Sequence, residues 1–202
     1  MMKRSKSHYP PRRPSPARLT IASIGVLLLA ALNFGIASLH AQEDEATAAS
    51  REYRIKAAYL YQLGRYVQWP AKAFASAEAP FVIGVPKQDL IAADLDQIAL
   101  VKKIENRPIQ IRRFSPEGDV SACHILFLPA SLAPEVQAAV IRKVSGKNVL
   151  LVGDSDKFID QGGAVRFVIE ENNVRLHIVR KAAQREGLTI SSKLLQVARV
   201  LD

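Results

Sequence analysis

The sequence predicts a single α/β domain: a largely parallel sheet flanked by helices, with a C-terminal antiparallel hairpin and a closing helix. Three observations predict it. The short runs Phe81–Val85, Cys123–Leu128 and Val149–Val152 are almost continuously apolar, as strands buried on both faces read. Segments of helical spacing stand between them. Two alternating runs then meet around Asn172–Asn173, as the arms of a hairpin do.

Taken in order, residues 1–41 carry six basic residues and no acid, with the apolar run Leu19–Leu39 after the charges. That is the layout of a signal peptide, with cleavage expected near Ala41. The run is also long enough to span a bilayer, so an uncleaved N-terminal anchor is the alternative. Either way the folded part is expected outside the cytoplasm. Without this segment 22 basic residues face 19 acids, a net charge near +3 instead of +9. The remaining basic residues are scattered, which argues against a nucleic-acid partner. Residues 42–50, acidic and alanine-rich, read as a flexible leader, and residues 51–202 as one domain with one core.

Ile55, Tyr59, Leu63 and Tyr66 recur at helical spacing, with Leu60, Gly64 and Val67 as an adjoining stripe. This opening helix must stop by Trp69, because Pro70 disfavours helical geometry in the residue before it. Phe81–Val85 is the first buried strand, Asp89–Leu100 a helix and Pro108–Phe114 an alternating strand. Cys123–Leu128 is the next strand. Ala133–Val144 forms a helix with Pro134 in its first turn, and Val149–Val152 a further strand. With Asn172–Asn173 as a two-residue turn, Ile169 falls opposite Leu176, Phe167 opposite Ile178, Glu170 opposite Arg175 and Val168 opposite His177. Lys181–Glu186 is a short helix ended by Gly187. Ser191 caps a last helix bearing Leu194, Leu195, Ala198 and Val200 or Leu201.

Chemistry-bearing patterns are sparse. The histidines beyond the export segment are His124 and His177, and with Cys123 they make no metal-ligand spacing. No Gly-x-Ser-x-Gly elbow or phosphate-loop pattern occurs, and neither an enzyme nor a cofactor is expected. Cys123 is the sole cysteine, so no intramolecular disulfide can form. It reads as a buried small hydrophobe, and pairing with His124 is disfavoured because strand neighbours face opposite ways. Gly153, Asp154, Ser155 and Asp156 leave the C-terminal end of a strand, where open α/β sheets bind ligands. They would offer acceptors to a small ligand or cap a helical turn through Lys157 and Phe158.

Two blocks carry a resemblance. Glu52–Tyr61 with Tyr66–Pro70, and Gly187–Ala198, resemble the opening helix and closing block of the YfiR-like family of exported proteins. The strand Cys123–Leu128, Gly153-Asp154 and Gly162-Gly163 fall between them in the family's order. The resemblance implies a periplasmic regulator, typified by a protein that binds the periplasmic domain of a membrane diguanylate cyclase and represses cyclic-di-GMP synthesis. Release would promote biofilm formation. It also implies a homodimer and redox control through paired cysteines, which a chain with Cys123 alone cannot reproduce in the same way. On this reading the contact residues are those outside the core: Tyr61, Arg65 and Gln68 on the opening helix, Arg175 and His177 on the hairpin. The alternative from another class is a periplasmic small-ligand receptor using the loops after Val85 and Val152.

Overall fold

The computed structural model describes residues 47–115, 117–120 and 122–201. The predicted export segment and the first part of the leader lie outside the described residues. Helix α1 spans residues 47–66, so residues 47–50, expected as leader, are helical. It runs directly into strand β1, Val67–Gln68, and a 3-10 turn at Ala71–Ala73 follows Pro70. Then come β2 (Phe81–Pro86), α2 (Ile91–Val101), β3 (Lys103–Ile104), β4 (Arg107–Phe114), β5 (Ile125–Leu128), α3 (Pro134–Val144) and β6 (Leu150–Gly153). The chain closes with β7 (Val165–Glu170), β8 (Asn173–Val179), α4 (Arg180–Arg185), β9 (Thr189–Ile190), α5 (Ser192–Leu195) and β10 (Arg199–Leu201). Among the described residues no helix is long and apolar enough to cross a membrane.

Eight strands form one sheet in the order β10-β8-β7-β6-β5-β2-β4-β3. The five central strands β4, β2, β5, β6 and β7 are mutually parallel. Counted in chain order they read 2-1-3-4-5, a doubly wound arrangement. Successive side chains of a strand point to opposite faces, and the core divides accordingly. On one face Phe81, Ile83, Ile125, Phe127, Leu150 and Val152 pack with Ala57, Leu60 and Leu63 of α1 and Ile91 and Leu95 of α2. On the other, Val82, Leu126, Leu128 and Leu151 pack with Val140, Ile141 and Val144 of α3 and with Phe158. Each wholly buried Leu, Ile or Phe contributes about 1.5–3 kcal/mol.

The buried stripe of α1 is Lys56, Ala57, Leu60, Leu63 and Gly64, continued by Val67 of β1, with Ile55, Tyr59 and Tyr66 on its half-buried flanks. Gly64 is needed for close approach: a Cβ there would lie 2.5 Å from Ile104 Cδ1. The two blocks that carry the family resemblance meet directly. Val67 pairs with Ile190 and Gln68 with Thr189 in a small antiparallel sheet, and Ser191 N donates to Tyr66 O at 2.8 Å.

Three expectations are corrected. The hairpin turn is Glu171-Asn172, both at positive φ (50° and 59°), so Phe167 pairs with Leu176, Ile169 with Val174, Val168 with Arg175 and Glu170 with Asn173. The expected register is displaced by one residue on each strand. Hydrophobic alternation is blind to this slip because it leaves every side chain on its face. Consequently Glu170 contacts His177 at 3.2 Å and not Arg175. The last helix is a single turn ending at Leu195; Val200 and Leu201 lie on β10, which pairs in parallel with β8, Arg199 opposite His177. Ser191 does cap that turn, its Oγ accepting from Lys193 N at 3.3 Å, and Gly187, at φ 70°, ends α4.

Candidate functional site

After β2 the chain crosses to β4 on one side, and after β5 it crosses to β6 on the other. The loops at the carboxyl ends of these neighbouring strands therefore part, and ligands of open α/β sheets bind in such a crevice. Here the crevice is a cleft of about 610 Å³ between residues 86–90, after β2, and Ser131 and Leu132, after β5. Tyr53 of α1 and Phe114 and Ser115 at the end of β4 complete its lining. Asp89 on its wall accepts a hydrogen bond from Ile91 N at 2.9 Å through Oδ1, which closes the N-terminus of α2.

The wall formed by the loop after β5 is held from two directions. Asp154 Oδ1 accepts from Ala130 N at 2.5 Å, while its Oδ2 accepts from Lys56 Nζ at 2.6 Å. Gln137, buried on α3, donates through Nε2 to the carbonyls of Pro129 at 3.1 Å and Leu132 at 2.8 Å. Its Oε1 in turn accepts from Ser155 Oγ at 2.8 Å. Of the loop singled out from sequence, Asp154 and Ser155 are thus engaged in bracing the cleft. Asp156 pairs with Arg166, and Gly153 packs against Phe158. Lys157 and Phe158 lie in a turn closed by Phe158 N donating to Ser155 O at 3.1 Å and Gln161 N to Lys157 O at 3.1 Å.

Lys56 is 5% exposed and also meets Glu52 Oε1 at 2.5 Å. Burial pulls its ammonium pKa down, but the bonds to Asp154 and Glu52 outweigh that, and the net shift is upward. Burial, reinforced by the charge of Asp154, raises the pKa of Asp89. Tyr53 is raised by burial and then by Asp89. Sequence reasoning missed Lys56, although its spacing of four, three and four to Leu60, Leu63 and Val67 places it on the buried stripe. Gln137 gave the same signal, three and seven residues before the buried Val140 and Val144 of α3.

The expected partner-contact residues fall on two opposite sides of the sheet. Tyr61 is half-buried against the core, and the Arg65 guanidinium lies 5.8 Å from the centres of both the Tyr61 and Tyr66 rings. Gln68 is exposed on β1. Val174, Leu176 and Ile178 face α1, so Arg175, exposed, and His177, half-buried, point to the other side. No residue of β7 or β8 enters the core cluster beneath α3. That side of the hairpin carries Arg166, bonded to Asp156, His177, beside Glu170, and the exposed Arg175 and Arg199.

Cys123 is buried, and burial pushes its thiol pKa up to about 11, which keeps it protonated and a poor nucleophile at neutral pH. His124 stacks between Phe74 (centroids 4.4 Å apart) and Phe81 (4.8 Å), and its Nδ1 accepts from Val82 N at 3.0 Å. The imidazole thus replaces a ladder bond where β2 and β5 begin to pair. Burial, aided by the charge of Arg107, lowers its pKa to about 4 from an ordinary 6.5. Between these values the unfolded chain binds a proton that the folded chain does not, so stability falls as pH falls through the window. Full development of the shift is worth about 3 kcal/mol. Urea unfolding at pH 7 and pH 4 should show this loss in the wild type and a smaller one in His124→Phe. An equal loss in both would show that the imidazole titrates alike in the folded and unfolded chain and is not the source of the pH dependence.

No curated protein sequence matches the chain. The sequence profile of the YfiR/HmsC-like family matches residues 53–199, which takes in both terminal blocks but for Glu52, the cleft, and the eight-stranded sheet up to the first residue of β10, and the chain belongs to that family.

Proposed function

We propose that this protein is a periplasmic, non-enzymatic regulator that binds the periplasmic domain of a membrane diguanylate cyclase or a related sensor and lowers cyclic-di-GMP output. The observation that carries the reading is the family match over residues 53–199. The export-type character of residues 1–41 supports the location. Regulation of this kind is stoichiometric: the protein binds one conformation of the sensor better than another and shifts the equilibrium by the ratio of the two affinities. Driving a sensor almost completely from one state to the other takes a ratio of about 10⁴.

Of the two candidate surfaces, the hairpin face suits a protein partner better. Its exposed Arg175 and Arg199 make no ion pair among the described residues, which leaves them for charge-assisted bonds to carboxylates of a partner. On α1, Arg65 is already laid over Tyr61 and Tyr66. Capture of the tagged protein from envelope extracts of its host should recover a membrane cyclase or sensor. Arg175→Glu should reduce recovery about tenfold with little change in melting temperature, while Arg65→Glu leaves recovery nearly unchanged. Loss through Arg65 alone would move the contact to α1, and capture of no membrane sensor would overturn the reading.

A further inference from the structure

We propose that the cleft between the β2 and β5 loops binds a small molecule carrying a protonated amine on an apolar body, with Asp89 as its counter-ion. The argument starts from charge. A helix N-terminus facing such a cleft would ordinarily attract an anion, but here Asp89 already accepts the Ile91 N–H at the start of α2. Among the described residues no lysine, arginine or histidine lies within 4.0 Å of that carboxylate. The nearby ammonium of Lys56 is held by Glu52 and Asp154 instead, so the group beneath the cleft contains three carboxylates and one buried cation. Lys87, the one basic side chain lining the cleft, is exposed and keeps its hydration.

A half-buried carboxylate without a cation is a costly arrangement that a bound ammonium would relieve. Burial and the charge of Asp154 raise its pKa, and a bound ammonium would oppose both. The remaining lining favours an apolar body, because Tyr53, Leu90, Phe114 and Leu132 supply hydrocarbon and aromatic surface around the one carboxylate. A largely apolar cleft with few oriented polar groups is how small-molecule sites are built. The bracing by Asp154 and Gln137 fixes one wall in advance, so binding need not order that loop.

Calorimetric titration of the purified protein with phenethylamine and with its neutral counterpart 2-phenylethanol tests the assignment. The amine should bind roughly tenfold more tightly than the alcohol. Asp89→Asn retains a side-chain oxygen for the Ile91 N–H and should therefore fold normally, yet it should erase that preference. Ser131→Trp, a change at an exposed position that fills the cleft, should abolish binding of both. Equal affinity for the two probes, binding of neither, an undiminished preference in Asp89→Asn, or full amine binding by Ser131→Trp would each overturn the proposal. None of these outcomes bears on sensor capture, which is assigned to hairpin residues that do not line the cleft.

Discussion

Lys56→Met should lower the free energy of unfolding by about 3–5 kcal/mol, the cost of leaving a buried charge without its partner. The side chain of Lys56 is 6% exposed and that of Asp154 15%, so both charges are largely withdrawn from water. Methionine matches the length of the lysine stem, which isolates the ammonium as the thing removed. What remains is Asp154 facing Glu52 across an apolar gap. Adding Asp154→Asn should recover part of the loss, since the amide keeps the bond from Ala130 N while removing the uncompensated charge. Because the folded pKa of Lys56 is raised, its contribution is fully present below the unfolded value of about 10.5 and is lost as pH rises through the folded value. Urea unfolding of the two single variants and the double variant measures the coupling. A loss below about 1 kcal/mol in Lys56→Met would place the pair among weak surface bridges and detach α1 from the bracing of the cleft.

The same residue shows where the sequence was legible. The central strands β2, β5 and β6 and the helix α3 are visible because each is an apolar run or an amphipathic stretch long enough to impose its own period. Strands β1, β3, β9 and β10 have two or three residues each and no period of their own; they exist because neighbouring edges offer unpaired backbone groups. The short turn of α5 and the start of β10 share one apolar pattern, Leu194 to Leu201, which reads equally as a longer helix. Lys56 was legible by position and overlooked by type, since a lysine on an apolar stripe contradicts the hydrophobic rule that defines the stripe. The cleft was half legible: the loops after Val85 and Val152 follow from the strand ends. The crossing of the chain between β2 and β5, which opens the cleft, depends on strand order, and strand order leaves no local trace. Asp89 was read only as the beginning of a helix, a role it does fill, and its exposure to the cleft is a tertiary fact.

Phe158→Ala should cost about 3–5 kcal/mol, and its consequences should reach the cleft. The ring is wholly buried beneath the turn of residues 154–163 and is clasped by two glycines. A Cβ on Gly153 would lie 2.6 Å from Phe158 Cδ2 and 2.8 Å from Leu128 O, and one on Gly163 would enter the ring and lie 2.8 Å from the carbonyl oxygen of Phe158. The glycines are there for space, since backbone oxygens cannot swing aside as side chains do. Gly163 N also donates to Phe158 O at 3.0 Å, so ring and turn are fixed together. Removing the ring leaves a cavity that this hydrogen-bonded turn cannot easily collapse into, which sets the cost toward the upper end of the range. The turn also carries Asp154 and Ser155, and loosening it slackens the bonds to Ala130 N and Gln137 that hold the cleft wall. Phe158→Ala should therefore weaken phenethylamine binding in protein that is still folded, whereas Phe158→Leu should restore most of both properties. A loss under about 1 kcal/mol would mean that the turn closes over the vacated space, and the wall would then owe its position to Lys56 and Gln137 alone.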